Sequence, residues 1–177
     1  MVATELFLHA WTGRIDSPLR LVNGRVKPEW VDDYGHLNMA HYLTICDQAT
    51  WAFWNWINAP DQSVEVRKGH EYAAVESHVI YVRELVENEE FKIETQLTDL
   101  DEKRLILFSR VLKTDGAVAA TNEVKCLSFN LETRRPEAWQ IGRVSERLKL
   151  VLGAHATLAR PEQSGQGIIL KNKARAK

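Results

Sequence analysis

Hydrophobic spacing changes three times along the chain. Up to Asp16, polar and apolar residues alternate without a steady period and Gly13 interrupts, so residues 1–18 read as a weakly structured lead-in. Leu21, Val22, Val26 and Val31 then predict a short strand and an extended approach, broken by the Asn23-Gly24 turn pair and by Pro28. From Asn38 to Ile57, Met39, Tyr42, Leu43, Cys46, Ala49, Phe53 and Ile57 recur at steps of three and four, which places them on one helical face. Trp51 and Trp54 add a neighbouring stripe, so this helix is expected to be covered on several sides. Asn58-Ala59-Pro60 ends it, because proline cannot continue a helix.

From Tyr72 onward the period becomes two. Runs over 72–85, 91–100, 104–114 and 117–131 predict four strands. In the second, Phe91, Ile93, Thr95 and Leu97 alternate with Lys92, Glu94, Gln96 and Thr98, which predicts one dry face and one wet face. Short polar connections at 87–89, 99–103 and 115–116 predict a meander in which consecutive strands are antiparallel neighbours. A last helix is expected over 144–158, with Leu148, Val151, Leu152 and His155 on one side. A flexible basic tail is expected from 159 to the end, marked by Gly165 and Gly167. The order predicts an α+β fold, with a curved antiparallel sheet of about five strands wrapped around one long central helix in a single domain over 19–158. Open sheet edges are a liability, and pairing of two copies across one would remove it, so a homodimer or a dimer of dimers is expected.

Charge and composition narrow the partners. With 23 Lys and Arg against 24 Asp and Glu, the chain has a net charge of −1, without the basic footprint of a nucleic-acid binder. Lys171, Lys173, Arg175 and Lys177 read as a solvated tail. No stretch reaches the roughly 18 apolar residues of a membrane span, and the start lacks the basic and apolar pattern of a leader peptide. Cys46 and Cys126 lack the close spacing of a zinc or redox motif and read as buried thiols in a reducing, cytoplasmic setting. No metal and no cofactor are expected.

Candidate chemistry concentrates where the long helix begins. Asp32 and Asp33 precede it, Gly35 permits a tight turn, and His36 and Asn38 stand at its entrance. A helix start offers unpaired N–H groups and partial positive charge, which can hold the oxygen of a polarised thioester carbonyl, with the Gly35 backbone as the expected donor. A neighbouring carboxylate then acts as nucleophile or activates water. Asp32, Asp33 and Asn38 are equally the residue types that cap helices without any catalytic role.

The segment VKPEWVDDYGHLN at 26–38, followed by Tyr42 and by DQAT at 47–50, resembles the start of the central helix in hotdog-fold thioesterases of the 4-hydroxybenzoyl-CoA thioesterase group. ESHVIYVRE at 76–84, DEKR at 101–104 and AATNE at 119–123 are similar to later segments of the same family, so the likeness runs over about 19–131. The resemblance implies hydrolysis of an acyl-CoA by a cofactor-free homo-oligomer. It also implies a catalytic set on Asp32, Tyr34 and His36, with Tyr34 standing where that family carries Asn. Other branches place the acid where this chain has Trp30, or in mid-helix, where Asp47 is nearest. Glu76 either opens the strand facing the helix entrance as a second carboxylate or is a solvent-facing strand residue, and Arg83, Glu84, Lys103 and Arg104 either contact coenzyme A phosphates or form surface pairs. Tyr34, Trp51 and Trp54 are candidates for the acyl pocket. If the resemblance extends to thioesterases of carnitine degradation, that pocket would accept the cationic head of betainyl-CoA through cation–π attraction. A non-catalytic acyl-CoA binding domain and an acyl-thioester hydratase or dehydratase are the alternatives on the same fold.

Overall fold

The computed structural model describes residues 10–61, 63–140, 142–166 and 168. The basic residues Lys171, Lys173, Arg175 and Lys177 lie outside them. Strand β1 (Leu19–Arg25) is followed by one 3-10 turn (Pro28–Trp30) and by helix α1 (Met39–Asn58). Strands β2 (His70–Tyr81), β3 (Glu90–Leu100), β4 (Arg104–Lys113) and β5 (Val118–Asn130) come next, then the two-residue β6 (Arg135–Pro136) and helix α2 (Arg143–His155).

At about 1.5 Å per residue α1 is roughly 30 Å long, and it touches all five long strands, so the sheet curls around it as expected. Ile45, Cys46, Phe53 and Ile57 of α1 are fully buried against a core that includes Ile93, Leu97, Leu107, Val111 and Val124. Burial of each large side chain contributes about 1.5–3 kcal/mol. Thr50, Asn55 and Asn58 are buried polar residues on the same helix, and each bonds a carbonyl four residues earlier, which removes the cost of an unpaired polar group. α2 packs on β3 and α1 through Val144, Leu148, Val151 and His155.

The strand order is β1-β3-β4-β5-β2, all antiparallel. The meander therefore holds for β3, β4 and β5 but not for β2, which pairs with β5 and forms an edge. The connection over 82–89 is not a hairpin. It runs past α1 toward the opposite edge, where Asn88 N–H donates to the Val26 carbonyl and Val26 N–H donates to the Glu89 carbonyl, both at 2.9 Å. Turn residues signal that the chain bends, and they do not state which strand receives it.

Two smaller expectations are corrected. Asn23 and Gly24 sit inside β1 opposite Lys92 and Phe91, because β1 is an edge strand with a single partner. Glu94 and Gln96 are buried instead of wet, and both oxygens of Glu94 are taken by Arg20 and Arg110. Within the lead-in, Trp11 lies 4.5 Å from Trp56 between ring centroids, and the Arg147 guanidinium lies 4.6 Å from the centre of its ring. In the described part beyond 158, Arg160 bonds Asp99, and Ser164 and Gly165 bond Glu123. Among the described residues no helix is long and apolar enough to cross a membrane.

Candidate functional site

The site forms where the chain turns from the sheet into α1. An isolated bridge between Val31 and Leu37 closes a short loop. Within it Asp32 N–H donates to the His36 carbonyl and Gly35 N–H donates to the Asp32 carbonyl, both at 2.9 Å. Asp32 Oδ1 accepts from Tyr34 N–H at 3.0 Å and from His36 N–H at 3.4 Å, which leaves Oδ2 without a protein hydrogen bond among the described residues. Gly35 has φ +80° with open space around it, so the backbone conformation, and not crowding, demands glycine.

Gly35 does not supply the expected oxyanion donor here, because its N–H is engaged inside the turn. Asn38 caps α1, with Oδ1 accepting from Ala40 N–H at 3.0 Å and its own N–H donating to the Trp30 carbonyl at 2.9 Å. That cap leaves the first helical N–H, of Met39, without a protein acceptor among the described residues.

The facing wall is the end of β2 and the segment after it. Leu37 N–H donates to the Leu85 carbonyl at 2.7 Å and His36 bridges to Val86, so two extended segments lie side by side. Tyr42 bolts this wall to α1: its hydroxyl accepts from Leu85 N–H at 3.0 Å and donates to the Arg83 carbonyl at 3.3 Å. Burial pushes the Tyr42 phenol up against the lowering effect of the Leu85 bond, with nearby Glu89 and Glu84 adding to the rise, so it remains a neutral hydroxyl. Between the walls lies an open cleft of about 340 Å³. Asp32, His36, Leu37 and Met39 line one side, and Tyr42, Tyr81, Val82, Arg83 and Glu84 the other. His36 Nε2 is 3.6 Å from Glu84 Oε2.

The other sequence candidates are placed elsewhere. Tyr34 is 84% exposed at the tip of the turn and does not line the cleft. Asp47 stands about 12 Å further along α1, its carboxyl raised by desolvation, and its charge helps push the Cys46 and Cys126 thiols, already raised by burial, up to about 12. Glu76 does not face the helix entrance, because β2 begins at His70 and puts Tyr81 there; Glu76 pairs with Lys125, which draws its carboxyl down. Trp51 and Trp54 lie roughly 18 and 22 Å from the helix start. Trp51 is 43% exposed, whereas Trp54 is buried, donates to Glu71 Oε2 at 2.7 Å and packs against Tyr72 and Trp139. Arg104 pairs with Asp101, away from the cleft. Among the described residues there is no group of three or more His, Cys, Asp or Glu fit to hold a metal ion. Tyr42 is the core residue that the helical spacing predicts, but its hydroxyl's role at the cleft and that of Tyr81 go unassigned in the sequence. The available signal was a phenol on the buried face of the helix, whose hydroxyl must find partners.

Residues 26–149 match the thioesterase-like superfamily. The chain belongs to that superfamily. Its hotdog fold is shared with a Staphylococcus aureus hypothetical protein solved in complex with CoA, 26% identical with a TM-score of 0.79, covering 89% of this chain and 99% of that one. A DHNA-CoA thioesterase of Staphylococcus aureus, 14% identical with a TM-score of 0.67 over 76% of this chain and 91% of that one, shares the fold. A betainyl-CoA thioesterase of Pseudomonas aeruginosa is 33% identical over 144 residues, covering 81% of this chain and 89% of that protein. The L-carnitine dehydrogenase/betainyl-CoA thioesterase of Agrobacterium fabrum is 33% identical over 138 residues, which make up 77% of this chain and 28% of that longer protein. Thioester hydrolysis is the activity that this membership and these relatives support.

Proposed function

We propose that this protein hydrolyses a small acyl-CoA, with betainyl-CoA as the leading substrate, in the cleft between the 32–38 turn and the end of β2. The observation that carries the reading is the convergence, on one open cleft, of an imidazole with a carboxylate oxygen and a first helical N–H that both lack a protein partner among the described residues. Asp32 Oδ2 is the atom assigned to activate water or attack the thioester carbon. The oxyanion that develops on the carbonyl is stabilised by the Met39 N–H and the positive end of α1. The likeness to betainyl-CoA thioesterases supports a cationic acyl group. So does the cleft itself, where the Tyr42 and Tyr81 rings, 5.4 Å apart, stand near the carboxylate of Asp32.

The working unit is a homodimer in a cytoplasmic setting. β2 is an edge strand with Val75 and Tyr81 exposed, and Met39, Leu43 and Trp51 of α1 are exposed as well, an apolar surface that a second copy would cover. Light scattering that gave a monomer at working concentrations would overturn the dimer. The test of function is thiol release from short aliphatic, long aliphatic, aromatic and trimethylammonium acyl-CoAs. Turnover fastest on betainyl-CoA is expected. Tight binding without turnover across the whole panel would replace the hydrolase with an acyl-CoA binding domain.

A further inference from the structure

Glu84 combines two properties that seldom occur together. Its side chain is 63% exposed, yet its backbone is held at three successive residues. Tyr42 Oη bonds the Arg83 carbonyl and the Leu85 N–H on either side, while Lys113 Nζ donates to the Glu84 carbonyl itself at 2.8 Å. Lys113 is in turn paired with Glu89 at 2.8 Å. Solvated carboxylates on loops ordinarily need no such anchoring, and surface ion pairs contribute little to stability. A rigid mount makes sense for a side chain whose direction matters.

That direction is toward His36, whose Nε2 lies 3.6 Å away across the cleft. The His36 backbone is fixed by its bond to Asp32 Oδ1 and by its bridge to Val86, two residues from Glu84. Two anchored backbones therefore present an imidazole and a carboxylate to each other. With Nε2 directed at Glu84, Nδ1 is the ring nitrogen left for water or substrate. At 3.6 Å the contact is longer than a hydrogen bond, and contacts between catalytic groups often tighten into one only when substrate enters.

We propose that Glu84 is a positioning residue that orients the His36 imidazole for catalysis, an assignment that rests on the thioesterase reading above. It acts through His36 and need not touch the thioester.

The test is a double-mutant cycle on hydrolysis of betainyl-CoA and of an uncharged short acyl-CoA. Glu84→Gln is expected to lower kcat roughly 10–100-fold on both substrates with KM little changed, the scale lost when a reacting group is misplaced. Glu84→Asp should recover part of that loss. In a His36→Ala background, Glu84→Gln should cost almost nothing more, because the two residues act as one unit. Melting temperatures should stay within a degree or two, since the side chain is exposed. Unaltered kcat in Glu84→Gln would overturn the assignment, as would additive effects in the double mutant. A loss confined to KM for the cationic substrate would overturn it too, and would make Glu84 a contact for the acyl group instead. A wild-type protein inactive on every acyl-CoA would remove both this assignment and the thioesterase reading, which an active wild type with an indifferent Glu84→Gln would leave standing.

Discussion

The two ends of α1 solve opposite problems. At the start, Asp32, His36 and Tyr81 stand around an open cleft, Tyr34 points into solvent, and a helix N–H is left unpaired. At the far end Trp54, Trp56 and Trp139 are buried, and apart from the Trp139 indole N–H, which has no acceptor among the described residues, the polar groups named here are bonded: Trp54 Nε1 on Glu71, Glu71 on Arg67, and the last carbonyls of Ile57 and Ala59 on Arg147 at 2.7 Å. Stability is concentrated where polar demand is met. Chemistry is available where it is not, so substitutions at the two ends should fail in different ways.

The largest expected effect is on activity at the open end. Asp32→Asn keeps Oδ1 as acceptor for Tyr34 and His36 and so keeps the turn, but removes the reactive charge. Thiol release should fall roughly 100- to 10,000-fold while the melting temperature is unchanged. Full activity in this variant would move the acid to Asp47, where Asp47→Asn is the matching assay.

At the closed end the order reverses. Phe53→Ala, in a fully buried position, should destabilise by about 3–5 kcal/mol in urea unfolding and leave kcat per folded molecule near wild type. Trp54→Phe keeps the ring packing but deletes the hydrogen bond to Glu71, and should cost about 1–3 kcal/mol with no change in kcat. A large activity loss in Trp54→Phe without loss of stability would return Trp54 to the acyl pocket.

Asn38→Ala tests the boundary between the two behaviours. Loss of the cap should cost about 1 kcal/mol of stability, and activity should fall only as far as the helix start loosens.

The smallest effect is a pH dependence carried by neither end. His155 Nδ1 accepts from Leu97 N–H at 2.8 Å, which places its proton on Nε2, 3.2 Å from the Asp16 carbonyl. Burial lowers this histidine below its ordinary range, against the bond to Asp16. The neutral form is the one that fits. Its contribution is complete above the unfolded value of about 6.5 and is lost as pH falls from there toward the folded value. Thermal unfolding between pH 7 and 5 should decline more steeply in the wild type than in His155→Gln.

The long helix and the strand segments were legible in the sequence because each is written in a local period. α1 runs from Met39 to Asn58 where the spacing of apolar residues placed it, with Asn38 as its cap. The acidic turn was legible as well, since Asp-Asp-Tyr-Gly-His before an apolar helix is both a cap and a concentration of reactive groups. The partner of β2 was not, because its register with β5 depends on a crossover of which the sequence shows only the bends. Nor was the burial of Glu94, which two arginines from neighbouring strands, Arg20 and Arg110, make affordable.

By itself the sequence determined the fold class through short-range pattern, and the reaction class through its resemblance to a family, and it pointed to the 32–38 turn as the candidate site. Only the tertiary structure decided how that segment works. It engaged the Gly35 N–H inside the turn, left Oδ2 of Asp32 without a protein hydrogen bond among the described residues, and made the buried hydroxyl of the core residue Tyr42 the bolt between two walls. Glu84 came opposite His36 although the two are far apart in the chain. Such pairings are set by how the 82–89 connection crosses the helix start, and no local period encodes that path.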